Sequence, residues 1–153
     1  MRGATWGEIN FCKSEWVIPA VRMKAGKEHT VPLAPAVMQI LKALPRSGRD
    51  EIVFKAKRGG MLSDMTLSAV LKRMEVPVTV HGFRSTFRDW AGELSAFPRE
   101  VIEHALAHQL QNKAEAAYAR GTLLLKRRKL MESWAAFCAS DSSSVGQVLQ
   151  IRS

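Results

Sequence analysis

The spacing of apolar and polar positions changes its period once along the chain. Up to Leu33 it is strand-like. Glu15-Trp16-Val17-Ile18-Pro19-Ala20-Val21 and Glu28-His29-Thr30-Val31-Pro32-Leu33 flank the polar, glycine-containing turn Lys24-Ala25-Gly26-Lys27, which predicts a β-hairpin with Lys24 at its tip. Ile9-Asn10-Phe11 supplies a third short strand. Pro19 and Pro32 cannot donate to a ladder, so the sheet is expected to be small and to have edges.

From Pro35 onward the period is helical. Val37, Ile40, Leu41 and Leu44 recur at i, i+3, i+4 and i+7, as do Leu67, Val70, Leu71 and Met74, and each set predicts a helix with one stripe to bury. Residues 45–50 and 55–60 are polar, glycine-containing connections, and Ser63 or Asp64 is placed to cap the second helix. A third helix is expected to carry Phe83, Phe87 and Trp90 on one side. A fourth begins near Pro98, at a favoured first-turn position, and a fifth runs from about Thr122 to Phe137. The fold class is therefore α+β, predominantly helical, with a small antiparallel sheet near the N-terminus. After Cys138 the composition shifts to Ala139-Ser140-Asp141-Ser142-Ser143-Ser144, which reads as a joint. One domain over residues 1–140 is expected, followed by a tail, 141–153, that is loose or docks on a neighbouring protomer.

Composition narrows the setting. A chain of 153 residues, 46% apolar, suffices for one core. Two cysteines, Cys12 and Cys138, build no disulfide framework, and neither belongs to a Cys-x-x-Cys pair, so both are expected to be ordinary semi-buried thiols. The opening residues carry no apolar run of signal length, and no stretch approaches the roughly 18 apolar residues of a membrane span. A soluble, cytoplasmic protein is expected. The formal charge of +9, from 23 Lys and Arg against 14 Asp and Glu, attracts a polyanion. Charge alone does not separate DNA from RNA.

Residues with chemistry are more specific. His81 and Arg84 stand at i and i+3 at the start of the third helix, on one face, where a helix N-terminus also favours anions. On its own the pattern reads as a solvated basic face. Leu106-Ala107-His108 ends a helix, and Tyr118 is the only tyrosine in the chain. A lone tyrosine is ordinarily packing, yet a phenol attacks phosphorus when its proton has an acceptor and cations stabilise the charge growing on the phosphate oxygens. His104 and His108 have the i, i+4 spacing of a zinc pair, but without a following glutamate or a third ligand no metal is expected, and His104 reads as packing or as a polar group on a helix face. Trp90, Trp134, Phe83 and Phe87 read as core, and Lys126-Arg127-Arg128-Lys129 as a solvated helix face.

The ordered set Lys24, His81-x-x-Arg84, Leu106-Ala107-His108 and Tyr118 resembles the active-site series of the tyrosine recombinases, especially the integrases of prophages and genomic islands. The resemblance extends through residues 22–33, 79–90 and 126–134 and covers nearly all of residues 1–138. It implies that Tyr118 attacks a phosphodiester to form a 3′-phosphotyrosyl bond, releasing a 5′-hydroxyl that later rejoins a different strand. Arg84 would bind non-bridging oxygens, Lys24 protonate the leaving oxygen, His81 assist proton transfer, and His108 donate a hydrogen bond to the phosphate. Neither metal nor any other cofactor is implied, because cationic side chains supply the stabilisation. Double-stranded DNA is the implied partner. Full-length relatives act as tetramers on DNA with exchanged tails, whereas this piece alone is expected to be monomeric.

One departure matters. The family's first catalytic arginine lies in a Thr-Gly-x-Arg-x-x-Glu type of block ahead of the segment equivalent to residues 3–6, and Arg2 is too close to Trp6 to replace it. The expectation is a truncated piece, folded but with weak or absent recombination, or, as an alternative, a non-catalytic DNA-binding remnant. A type IB topoisomerase shares the chemistry, but the blocks at 22–33 and 81–90 look more like integrases. A basic RNA-associated helical protein would leave the ordered blocks unexplained.

Overall fold

The structure, a computed structural model, describes residues 2–46, 48–108 and 122–140. Three antiparallel strands, β1 (Ile9–Asn10), β2 (Glu15–Ile18) and β3 (His29–Pro32), form one sheet in the order β1-β2-β3, with Ile9 opposite Trp16 and Trp16 opposite Val31. The second strand stops earlier than its sequence suggests. Pro19 removes a donor and holds φ at −66°, and the chain folds into a single 3-10 turn over Ala20–Arg22. The Gly26 amide then bonds the Met23 carbonyl at 2.9 Å, with Gly26 at φ +61°.

Helix α1 (Pro35–Ala43) closes the first of two apolar clusters, which gathers Ala4, Trp6, Ile9, Leu33, Met38, Leu41 and Val53. Its seam is offset from the expected stripe. Met38 and Leu41 are buried while Val37 and Ile40 are 37% and 59% exposed, because only one side of a broad apolar surface faces the cluster. The N-terminal segment is strapped to residues 49–53 by main-chain bonds, among them Val53 to Ala4 at 2.8 Å and Trp6 to Glu51 at 3.0 Å. In helix α2 (Thr66–Arg73) the N-cap is Met65, without a side-chain cap bond. Neither expected cap acts as one: Ser63 Oγ sits 3.0 Å from the Thr66 hydroxyl and Asp64 pairs with Arg2. Leu67, Val70 and Leu71 are half-buried and Met74 is exposed.

Helices α3 (Gly82–Glu93), α4 (Arg99–Ala105) and α5 (Thr122–Ala139) enclose the second cluster, Phe87, Trp90, Ala91, Val101, Ile102, Leu106, Leu123 and Leu130, with Trp134 and Phe137 packed against it. Phe87 meets Trp134 edge-on at 5.4 Å, and the Trp90 and Trp134 rings lie 5.1 Å apart, geometries that aromatic quadrupoles favour. Phe83 departs from expectation at 56% exposed; it precedes the stretch of α3 that the other two helices cover. Pro98 is the N-cap of α4 rather than its first residue. Both cysteines are free and exposed rather than semi-buried.

The basic run on α5 is not a solvated face. Lys126 and Lys129 are exposed, but Arg127 is 3% exposed, and Arg128 bonds the carbonyls of Lys13 and Ser14 and the Glu15 carboxylate. Leu123, Arg127, Leu130 and Trp134 follow one another at helical spacing, so Arg127 occupies a position of the buried stripe and carries its charge inward to the sheet. No helix among the described residues is long and apolar enough to cross a membrane. Residues 141–153 lie outside the described residues.

Candidate active site

Two chain reversals bring the site together. Before α3, Thr79 accepts the Gly82 amide on both its carbonyl and its hydroxyl at 3.0 Å. This turn sets His81 at the N-cap position, exposed. The Arg84 amide bonds the His81 carbonyl at 3.0 Å, so the two residues share the first turn of α3, as their spacing predicts.

The second reversal ends α4. The His108 amide reaches back to the Glu103 carbonyl at 3.0 Å and the Ala107 amide to the His104 carbonyl at 3.1 Å, with Ala107 left-handed at φ +55°. That pair of bonds is a Schellman motif, with alanine where glycine is customary. The motif turns His108 back over the helix it leaves. Its ring Nδ1 hydrogen-bonds Glu103 Oε2, and the other Glu103 oxygen accepts from Arg88 Nε at 3.3 Å.

The two reversals meet at Arg84. One of its terminal nitrogens, Nη2, donates to the Leu106 carbonyl at 2.6 Å and lies 2.6 Å from His108 Nε2. The bond to Leu106 satisfies a carbonyl at the C-cap of α4, the negative end of that helix. Side chains 24 positions apart are thereby in direct contact, in a line running Arg84, His108, Glu103, Arg88. The hydrogen bond from His108, followed by that from Arg88, holds the Glu103 carboxyl below its ordinary range, against the opposing effect of its burial.

Of the residues singled out by sequence, Arg84 and His108 touch and His81 stands one turn from Arg84. Lys24 sits exposed in the turn between β2 and β3, with no hydrogen bond or ion pair among the described residues. Tyr118 lies outside the described residues. Sequence reasoning missed Glu103, whose signal was faint because the helix-ending residue before His108 is alanine. It also missed Arg127, for which the stripe spacing was an available signal. A second polar group joins α5 to the sheet near α4: Arg127 Nη2 donates to Thr30 O at 2.7 Å and lies 3.2 Å from His29 Nε2, and the His29 and His104 rings are 6.1 Å apart. Burial first, and then the Arg127 charge, depress both imidazoles, His29 to about 4.

The sequence pattern of the phage integrase family matches residues 1–122, and the chain belongs to that family. It is 40% identical over 148 residues to the prophage integrase IntA of Escherichia coli K12, covering 93% of this chain and 36% of that protein. It is 34% identical over 153 residues to the integrase of Enterobacteria phage P4, covering 88% and 35%, and 28% identical over 141 residues to the integrase of Shigella phage Sf6, covering 88% and 36%. The chain thus spans about a third of the length of these relatives. No solved structure matches.

Proposed function

We propose that this chain carries the strand-cleaving centre of a site-specific DNA recombinase of the tyrosine type, acting on double-stranded DNA. The observation that carries the reading is the contact of Arg84 with His108, two cationic or potentially cationic groups drawn from separate helices to one point beside the N-terminus of α3. Besides closing the end of α4 through the Leu106 carbonyl, this convergence places N–H groups where they can hold an anion.

In the proposed reaction the Tyr118 oxygen attacks a backbone phosphorus. A P–O bond to Tyr118 forms, the P–O5′ bond breaks, and the 5′ oxygen takes a proton from the Lys24 ammonium to leave as a hydroxyl. The phenolic proton departs with help from His81. Arg84 and His108 hold the non-bridging oxygens, where charge accumulates. Attack of a 5′-hydroxyl on the phosphotyrosine reverses these steps and seals a strand. Arg2 is not a substitute for the arginine of the family's Thr-Gly-x-Arg-x-x-Glu block, since it bonds the Leu62 carbonyl at 2.7 Å and pairs with Asp64. With that arginine not among these residues, cleavage by this chain alone is slowed by about 10²–10³. Assembly of four protomers on DNA, with residues 141–153 docking on a neighbour, belongs to the same proposal, as does a single domain over 1–140.

Nicked DNA substrates that trap the covalent intermediate, incubated at low salt and resolved on denaturing gels, test it. A slow adduct is expected from the wild type and none from Tyr118→Phe, with Arg84→Ala severely impaired. An adduct that persists in Tyr118→Phe overturns the nucleophile assignment. Salt-sensitive binding with no adduct from any variant favours a DNA-binding remnant instead.

A further inference from the structure

The protonation pattern of His108 follows from its two neighbours. A guanidinium has five N–H donors and no acceptor, so at 2.6 Å from Arg84 Nη2 the His108 Nε2 atom presents a lone pair. Its proton must then be on Nδ1, the atom that faces the Glu103 carboxylate. Two independent contacts therefore specify one tautomer. The carboxylate is itself held in place, with its second oxygen taken by Arg88 and its backbone carbonyl bonded to the His108 amide.

Resting on the function proposed above, we infer that Glu103 is a positioning residue: it fixes His108 as the Nδ1–H tautomer and aims Nε2 at the point where Arg84 would hold a DNA phosphate. One consequence concerns the reaction. While Glu103 keeps Nδ1–H, His108 donates to a phosphate oxygen from Nε2 only as the doubly protonated imidazolium. The Glu103 carboxylate is the counter-charge for that state, and Arg88 anchors the carboxylate from the far side. Loss of Glu103 releases the ring to carry its single proton on Nε2, the ordinary preference of a free imidazole, and to rotate away from Arg84.

The assignment is checked on the intact chain by two measurements. The first is the pair of ring ¹⁵N chemical shifts of His108 at a pH where the ring is neutral. The second is the rate of Tyr118 adduct formation on the nicked DNA. In the wild type and in Glu103→Gln, which keeps an acceptor of the same shape, Nδ1 is expected to carry the proton; in Glu103→Leu the proton moves to Nε2. Adduct formation is expected to fall ~10–100-fold in Glu103→Leu, with DNA affinity within about twofold of wild type, and Glu103→Gln is expected to fall between the two. A wild-type ring protonated on Nε2, or a Glu103→Leu variant with unchanged tautomer or unchanged adduct rate, overturns the inference. The expected tautomers with no adduct from the wild type would instead remove the proposed function and leave the positioning of His108 by Glu103 standing.

Discussion

Arg127 donates from Nη2 to the Thr30 carbonyl at 2.7 Å, a bond that spans 97 positions of sequence and joins α5 to the strand leaving the Lys24 turn. Arg127 is only 3% exposed, its Nε has no partner among the described residues, and burial pulls its pKa down to about 10. Among the described residues no carboxylate forms an ion pair with it. A buried cation in this position contributes through its stem and its bond to Thr30 more than through its charge. Arg127→Ala, which loses both, is expected to cost about 3 kcal/mol. Arg127→Met, which keeps the stem and relieves the buried charge, is expected to recover at least half of that. Urea unfolding monitored by tryptophan fluorescence measures both, and a methionine variant no better than alanine would show that the guanidinium group, through its bond or its charge, outweighs the stem.

The two imidazoles beside Arg127 make stability depend on pH. His29 titrates at about 4 and His104 below its usual 6.5, each through burial first and the Arg127 charge second. Both folded values lie below the unfolded value, so the unfolded chain takes up protons before the folded one does. Their contribution is fully kept above pH 6.5 and is lost as pH falls from 6.5 toward 4. Glu103, also depressed, keeps its contribution above the ordinary carboxyl range and loses it only below pH 4.5. The window from 6.5 to 4.5 thus isolates the histidines. A falling urea midpoint across that window is expected, and the fall should be shallower in His29→Gln.

How much of this was legible beforehand depends on whether a residue's type agreed with its position. Phe87, Trp90 and Trp134 are apolar and stand on buried stripes, so periodicity alone placed them in the core. His81 and Arg84 share a turn because i, i+3 spacing leaves no alternative on a helix. Arg127 defeated that logic: its side chain reads as solvent-facing, its spacing from Leu123 and Leu130 as buried, and spacing prevailed because the guanidinium found a carbonyl across the cluster. Phe83 failed in the opposite sense, an aromatic on the right face of α3 but one turn too early to be covered. The Ser63 and Asp64 capping reading failed because each side chain has another partner. The contact between Arg84 and His108 is tertiary, set by where α3 meets the end of α4, and no local pattern encodes it.

Ala107 is the strained hinge of that end. A non-glycine residue at φ +55° costs about 1–2 kcal/mol relative to right-handed backbone, and glycine removes the cost while adding some entropy to the unfolded chain. Ala107→Gly is expected to stabilise the protein by a net ~0.5–1 kcal/mol, raising the thermal midpoint by a few degrees. The His108 amide bond to Glu103 is retained in such a variant, so the ring ¹⁵N shifts of His108 should not move. A destabilised Ala107→Gly would mean that its methyl group makes packing contacts worth more than the strain.

Lys24 and Lys27 share one exposed turn, and a distinction between them tests the acid assigned to the cleavage step. A general acid matters only as far as the leaving oxygen needs a proton, and removing one typically costs ~10²–10⁴ in rate. Replacing the bridging 5′ oxygen of the DNA with sulfur makes a leaving group that departs as a stable thiolate and needs no proton. Lys24→Ala is therefore expected to be strongly impaired on ordinary DNA and close to wild type on the sulfur-bridged substrate. Lys27→Ala should show at most the small loss of a phosphate-steering charge, equal on both substrates and diminishing as salt is raised. If Lys27→Ala shows the rescue and Lys24→Ala does not, the acid is Lys27. If neither does, the proton reaches the 5′ oxygen from a group outside this turn.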